Sequence, residues 1–259
     1  MQKQGPTVNW RRPAAAGALL LAVILPVVIA LWIAPPPPPG PGQQPLPDFT
    51  AIDDVNELKE RFFGYLAPIV EEANDDVRAK RERLQRIVAD PADNDAVLRR
   101  DRRWLSRVAE RYQVQVDSLD AKLTALGRRV DTIPAGLALA QAAIESGWGR
   151  SRFAREGNNL FGEWCFREGC GLVPAARPAH AQHEVRAFVS VGDAVRSYLH
   201  NLNTHRAYGE LREMRARIRA NEDRAPSTME LAAGLGRYSE RGQAYVNEVR
   251  TVIRANDLD

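Results

Sequence analysis

Cysteine is scarce in this chain of 259 residues, which contains only Cys165 and Cys170. Structural zinc ions are held by cysteine and histidine side chains together, so two cysteines would need histidine partners. None of the histidines has a metal-type spacing to them, which argues against a zinc site. Nothing places a base beside either sulfur, which argues against a thiol nucleophile. The histidines are His180, His183, His200 and His205.

Long blocks of one charge sign are also missing. The formal net charge is +3, and every basic stretch contains interleaved acidic residues. Nucleic-acid-binding domains present a clustered basic patch, so we do not expect a nucleic-acid surface. The arginines are typical of solvated helix faces.

One long stretch has no charge at all. Residues 14–34 read AAAGALLLAVILPVVIALWIA, and about 20 apolar residues are enough to cross a bilayer as a helix. The run therefore predicts a transmembrane helix. Basic residues precede it and the first charge after it is Asp48, so the positive-inside rule places residues 1–13 in the cytoplasm and the remainder outside.

A cleaved signal peptide is the rival interpretation of this run. Signal peptides have a shorter apolar core and end in small residues at the cleavage site. Here the run ends in ALWIAPPPPP, with proline directly after it. We therefore favour an uncleaved signal anchor in the inner membrane, with the rest of the chain in the periplasm. In that oxidising compartment Cys165 and Cys170 are expected to form a disulfide.

The next two segments predict a spacer and a helical region. Residues 35–47, PPPPPGPGQQPLP, favour an extended polyproline spacer over a ligand for a proline-recognising module. In residues 48–130 apolar residues recur at intervals of three and four, which predicts helices. We expect Pro68 to interrupt the first helix and Asp93 or Asn94 to cap a later one. The first apolar stripe is Val55, Leu58, Phe62, Leu66 and Ile69.

The most informative stretch, residues 133–164, predicts an apolar helix with a single carboxylate, Glu145. Pro134 suits the first turn, and Gly147 is expected to end the helix, so Glu145 falls in its last turn. Gln141 lies one turn earlier on the same side. A carboxyl in such apolar surroundings is poorly hydrated, which raises its pKa and suits a general acid. The alternative is a solvated carboxylate at a helix end.

The rest of the chain predicts one strand and more helices. Residues 183–191, HEVRAFVSV, alternate apolar and polar side chains, as a strand does. Asp193 is a plausible cap for the helix that follows. Residues 207–220 predict a charged helix with a solvated outer face. The last helix has the apolar stripe Tyr245, Val249, Val252 and Ile253.

Four ordered motifs carry a resemblance to a known family. They are AQAAIESGWG with Glu145, NNLFG at residues 158–162, AFVSVGDAVRSYLHNL at residues 187–202, and RYSERGQAYV at residues 237–246. Together they make residues 131–259 resemble the glucosaminidase domain of glycoside hydrolase family 73. The resemblance implies a mainly α (α+β), lysozyme-like catalytic domain with a small β-lobe beside its cleft.

The resemblance also implies an activity and a site. It implies a peptidoglycan hydrolase that cleaves β-1,4 bonds of glycan strands after N-acetylglucosamine, without a metal ion or organic cofactor. Glu145 would be the general acid, and Tyr238 would face the reaction centre. Asparagine side chains also form hydrogen bonds within their own loops, and aromatic side chains also pack in cores. With these alternatives open, the further residues that would shape the site and bind sugar are Gln141, Trp148, Asn158, Asn159, Phe161, Trp164 and Tyr245.

Hydrolysis with one acid needs a second group to support the positively charged centre or to activate water. Glu184, on the polar side of the predicted strand, is one candidate, and its alternative is a solvated strand carboxylate. The other candidate is the 2-acetamido group of the substrate, with Tyr238 positioning it. We favour Tyr238 and the acetamido group.

Two other functions remain open at this level. A lytic transglycosylase on the same fold would leave an anhydro sugar instead of a reducing end. A cell-wall-binding or scaffold protein would have a vestigial acid and use residues 48–130 to bind a partner.

Overall fold

The computed structural model describes residues 39–89, 94–175, 177–178 and 181–259. The predicted membrane helix at residues 14–34 lies outside them and stays a prediction. Within the described ranges, no helix combines the length and apolarity that crossing a membrane requires. Residues 39–259 form one compact unit.

In its described residues the unit is mainly helical, as predicted, with one small sheet and four short 3-10 turns. In chain order the turns are Pro41–Gln43, Phe49–Ala51, Arg206–Tyr208 and Ala233–Leu235. The helices are α1 (Val55–Ala89), α2 (Asn94–Arg111), α3 (Leu119–Arg129), α4 (Ala135–Ser146), α5 (Arg152–Gly157), α6 (Val191–Thr204), α7 (Gly209–Glu222), α8 (Thr228–Ala232) and α9 (Gln243–Ala255).

Helix α1 joins two apolar clusters. Its first half places Leu58 and Phe62 in the main core, against α4 and α6, while its second half packs Leu84 on α2 and α3. The predicted interruption at Pro68 is wrong, because the helix continues through this residue. Packing of the apolar stripe on both sides of Pro68 outweighs the backbone hydrogen bond that proline cannot donate. Val55, predicted in the stripe, is 60% exposed.

The sheet is a three-stranded antiparallel β-lobe. Its strands are β1 (Trp164–Cys165), β2 (Gly171–Leu172) and β3 (Glu184–Arg186), in the order β1-β3-β2. The predicted strand at residues 183–191 is thus shorter, because Ser190 already caps α6 through a hydrogen bond from the Asp193 N–H. The cap predicted at Asp193 is therefore wrong by three residues.

Helix α7 has the predicted solvated outer face, but its inner face also carries buried charge, which the sequence analysis did not predict. Its Arg215 is fully buried and pairs with buried Asp131, whose carboxylate also binds Arg219 and Arg81. Burial, opposed by the charge of Asp131, lowers the pKa of Arg215 to about 10. Arg215 Nη2 also donates to the Arg128 carbonyl at the end of α3, so these buried charges tie α3 to α7.

Candidate active site

Helix α4 ends where the sequence predicts, and its end positions Glu145. The helix finishes at Ser146, and Gly147 follows in the left-handed conformation with a φ of 57°. Gly149 also has a positive φ, and a side chain there would meet the ring of Phe49 at 2.6 Å. Glycine therefore permits both the sharp turn and the close approach of the chain to this ring.

A relay of hydrogen bonds beneath the helix orients the Glu145 carboxyl group. The Tyr198 hydroxyl donates to Gln141 Oε1 at 2.6 Å, and Gln141 Nε2 donates to the Tyr245 hydroxyl at 2.8 Å. The Tyr245 hydroxyl then donates to Glu145 Oε1 at 2.7 Å. Gln141 is fully buried, so it supports the acid and does not face the cleft.

The surroundings of Glu145 favour its neutral form. Burial is the main cause and raises the pKa of the Glu145 carboxyl above its usual value, while the hydrogen bond from Tyr245 works in the opposite direction. The charge of Glu248 raises the pKa further, and that of Arg241 lowers it. A carboxyl whose pKa is raised towards neutrality retains a proton that it can donate.

Glu145 opens onto a cleft of about 740 Å³ between α4, the β-lobe, α6 and the loop before α9. Of the predicted site residues, the cleft brings together Glu145, Phe161, Trp164 and Tyr238. Tyr238 donates a hydrogen bond to the Phe161 carbonyl at 3.0 Å, and its ring stacks on Tyr245 at 5.3 Å. Trp164 is 57% exposed, so one aromatic face is accessible to a ligand in the cleft.

The two asparagines of NNLFG hold the loop rather than lining the cleft. Asn158 ends α5 in the left-handed conformation and donates to the Phe188 carbonyl. Asn159 is buried, donates to the Glu163 and Arg186 carbonyls, and accepts from the Phe161 and Glu163 N–H groups. These contacts attach the β-lobe to the segment that carries Phe161.

Trp148 packs against helix α1. Its ring makes edge contacts with Phe62 and Phe63 of α1, at centroid distances of 5.8 and 5.3 Å. Trp148 is outside the set of described residues that line the cleft. Its position therefore favours a role in packing α1 against the end of α4.

The carboxylate of Glu184 binds backbone N–H groups of the loop that the disulfide closes. Cys165 and Cys170 are bonded, as predicted. Glu184 accepts hydrogen bonds from the Gly169 N–H at 3.1 Å and the Gly171 N–H at 2.7 Å, and these bonds hold the pKa of its carboxyl below the usual value. It also lies outside the described lining of the cleft, so the geometry favours a structural role.

The structure adds cleft residues that the sequence analysis did not identify. Glu163 follows NNLFG directly, and no periodicity distinguishes it. Ser197 and Asn201 stand four residues apart on the polar side of α6, a spacing that was available in the sequence as the complement of the apolar stripe. The additional lining residues include Glu163, Arg186, Ser197, His200, Asn201, His205, Tyr208 and Glu240.

The hydrogen bond from Tyr245 gives a pH-dependent prediction. In Tyr245→Phe the ionised form of Glu145 loses a donor, so the pKa of Glu145 rises further. The protonated acid then persists to higher pH, and the alkaline limb of a kcat/KM profile should move to higher pH. Reaction rates measured from about pH 4 to 9 test this, with Tyr65→Phe, outside the described lining of the cleft, as the matched control. An alkaline limb that moves to lower pH would contradict it.

Comparisons with known proteins identify the family of the chain. The sequence model of the glucosaminidase family, described as mannosyl-glycoprotein endo-beta-N-acetylglucosaminidase, matches residues 121–258. Protein bax of Escherichia coli (strain K12) is 32% identical over 213 residues, which cover 82% of this chain and 74% of that protein. No solved structure gives a significant match. The chain therefore belongs to the glucosaminidase family, glycoside hydrolase family 73, as its four motifs predict.

Proposed function

We propose that this protein hydrolyses the β-1,4 bonds of peptidoglycan glycan strands after N-acetylglucosamine, with Glu145 as the general acid. The observation that carries the proposal is the half-buried Glu145 at the wall of an open cleft, with one oxygen held by Tyr245. The other oxygen, Oε2, lies beside Gly162, where an added Cβ would come within 3.4 Å of it. Protonation of the leaving glycosidic oxygen from this position is the first chemical event.

The lining of the cleft supports a polysaccharide substrate. It combines aromatic faces with polar side chains. Sugar rings bind by stacking their C–H faces on aromatics and by hydrogen bonds from their hydroxyl groups. Trp164 supplies an exposed ring in the β-lobe, while Asn201 and Ser197 supply polar groups on the facing helix.

Tyr238 fits the role of positioning the sugar at the reaction centre. Burial raises the pKa of its hydroxyl well above the usual value, so it remains a neutral phenol at physiological pH. Its proton is directed at the Phe161 carbonyl, and its oxygen keeps a lone pair for a hydroxyl or amide donor of the sugar. Tyr238→Phe should therefore weaken sugar positioning without removing the acid.

The predicted location fits this substrate. An anchor at residues 14–34 would hold the enzyme at the inner membrane with its cleft in the periplasm, where the glycan strands lie. The disulfide between Cys165 and Cys170 supports an oxidising compartment.

Mass spectrometry of purified glycan strands digested with the full chain tests the function. We expect new fragments with a reducing N-acetylglucosamine end, which sodium borohydride converts to the alcohol. Fragments that end in an anhydro sugar and resist borohydride would identify a lytic transglycosylase. Strands that bind the protein and stay intact would identify a wall-binding protein instead.

A further inference from the structure

A groove runs along helix α2, next to the cleft that carries Glu145. It consists of two adjoining depressions of about 490 and 290 Å³, which share Ser106, Asp117 and Lys122 in their linings. The lining residues on α2 are three or four positions apart, so they lie on one face of the helix. The start of α3 and the segment before it supply the remaining lining. The residues on α2 and in the turn at its end are Arg102, Leu105, Ser106, Ala109, Glu110 and Gln113.

Gln113 joins this groove to the cleft. It lines both, so the groove adjoins the cleft at this residue. The ring of Tyr112 meets the ring of His200 edge-on at a centroid distance of 5.4 Å, and His200 lines the cleft on α6. Arg129, at the end of α3, donates hydrogen bonds to the Tyr112 and Gln113 carbonyls at 2.6 and 3.0 Å. Contacts with two helices therefore fix the junction between groove and cleft.

The backbone of Gln113 has a conformation that favours glycine. Its φ is 56°, in the left-handed region. The Val114 N–H donates to the Ala109 carbonyl at 2.8 Å, and the Gln113 N–H donates to the Glu110 carbonyl at 3.1 Å. This pair of bonds closes a helix whose next residue is usually glycine. Strained positions without glycine concentrate at functional sites, and here the chain keeps an exposed amide side chain at the junction.

The charges of the groove are balanced. Arg102 and Lys122 are basic, while Glu110 and Asp117 are acidic. The Ser106 hydroxyl and the side-chain amides of two glutamines in the lining add uncharged donors and acceptors. Uncharged sugar rings are bound by such groups, whereas the stem peptides of peptidoglycan carry free carboxylates, which a basic lining would bind better. The lining therefore favours sugar rings over peptides.

We propose that this groove binds the part of the glycan strand that extends beyond the cleft, so that helix α2 makes the protein select long strands. The inference rests on the proposed hydrolysis and adds binding positions for sugars remote from the cleaved bond. From Arg102 to Arg111, helix α2 rises about 14 Å at about 1.5 Å per residue, which leaves room for additional sugar rings. Helix α2 precedes residues 121–258, which the family model matches. The selection of long strands is thus supplied by a segment outside the matched domain.

Reaction rates of the full chain on strands of two lengths are the first test. The probes are a tetrasaccharide and a dodecasaccharide of peptidoglycan glycan, both freed of stem peptides. Contacts with sugars that do not react stabilise the bound substrate and the transition state equally, so they lower KM and leave kcat nearly unchanged. We expect a higher kcat/KM per cleavable bond on the dodecasaccharide, through a lower KM. Equal values on the two lengths would overturn the proposal.

Gln113→Gly removes the side chain at the junction and relieves the backbone strain, so the variant should fold. We expect the ratio of kcat/KM on the dodecasaccharide to that on the tetrasaccharide to fall about three- to tenfold, as for the loss of one hydrogen bond. Asp223→Gly is the matched control. Asp223 has a φ of 48° at the end of α7 and lies outside the described linings of cleft and groove. Equal losses on both strand lengths in Gln113→Gly would assign this residue to the support of the fold and overturn the proposal.

Ser106→Leu tests the groove farther from the cleft. Leucine fills space in the groove and removes a hydroxyl group, and it suits an exposed position on a helix. Arg107→Leu is the matched control, because it changes the adjacent exposed residue, which lies outside the described lining of the groove. We expect the ratio between the two strand lengths to fall only in Ser106→Leu. A ratio that stays the same in Ser106→Leu and in Gln113→Gly would contradict the proposal.

Calorimetric titration separates failure of the groove from failure of the proposed hydrolysis. If the unaltered chain cleaves neither strand, the proposed hydrolysis fails, and binding of the same two strands then tests the groove alone. Tighter binding of the dodecasaccharide, lost in Ser106→Leu, would support the groove, and equal affinities would overturn it. A preference for long strands that appears only when the strands retain their stem peptides would assign the groove to peptide and also overturn the proposal.

Discussion

Glu145→Gln should abolish glycan cleavage while the protein stays folded. The amide still accepts the hydrogen bond from Tyr245, so the relay beneath α4 is kept, but it has no proton to give to the leaving oxygen. Loss of a general acid typically lowers the rate about 10²- to 10⁴-fold. Release of reducing ends from purified strands, measured at the pH optimum of the unaltered chain, gives the rate.

Glu82→Gln is the matched control for this change. Glu82 is exposed on the second half of α1, outside the described lining of the cleft, so its variant should cleave at the unaltered rate. Circular dichroism of both variants checks the fold. A folded Glu145→Gln protein that cleaves at nearly the unaltered rate would remove Glu145 from the reaction.

The second large effect is expected on stability, at the buried charges between α3 and α7. Asp131→Asn keeps the shape of the side chain but removes the negative charge that faces fully buried Arg215. Arg215 then stays charged at neutral pH without a carboxylate. Breaking a buried ion pair in this way costs about 3–5 kcal/mol of the free energy of unfolding. Denaturation of the purified chain in urea, followed by circular dichroism, measures the loss.

Asp75→Asn gives the comparison for an exposed pair. Asp75 binds Arg78 on the surface of α1, where both side chains are about half exposed or more. Such pairs contribute about 0–1 kcal/mol, so this variant should unfold almost as the unaltered chain does. Equal losses for the two variants would mean that the Asp131 cluster does not stabilise the fold.

Local patterns in the sequence predicted the helix that carries Glu145, its end at Gly147, the mainly helical fold and the family. These features depend on neighbours within a few residues or on a continuous motif. Helix periodicity, a glycine with positive φ and an apolar surrounding for one carboxylate can all be read over one or two turns. The same local patterns overestimated the helix-breaking effect of Pro68. Packing by residues distant in the sequence outweighs the loss of one backbone hydrogen bond at this proline.

The partners of each site residue were decided by the tertiary structure alone. Gln141 and Tyr245 are 104 residues apart in sequence, and their hydrogen bond turns a predicted sugar ligand into a support for Glu145. Glu163 lines the cleft and accepts a hydrogen bond from Ser197, which lies 34 residues later in the sequence. The sequence predicted a solvated Arg215, whereas in the structure this residue is buried beside Asp131. The type and spacing of residues determine local structure, whereas desolvation and charge pairing depend on which distant segments the fold brings into contact.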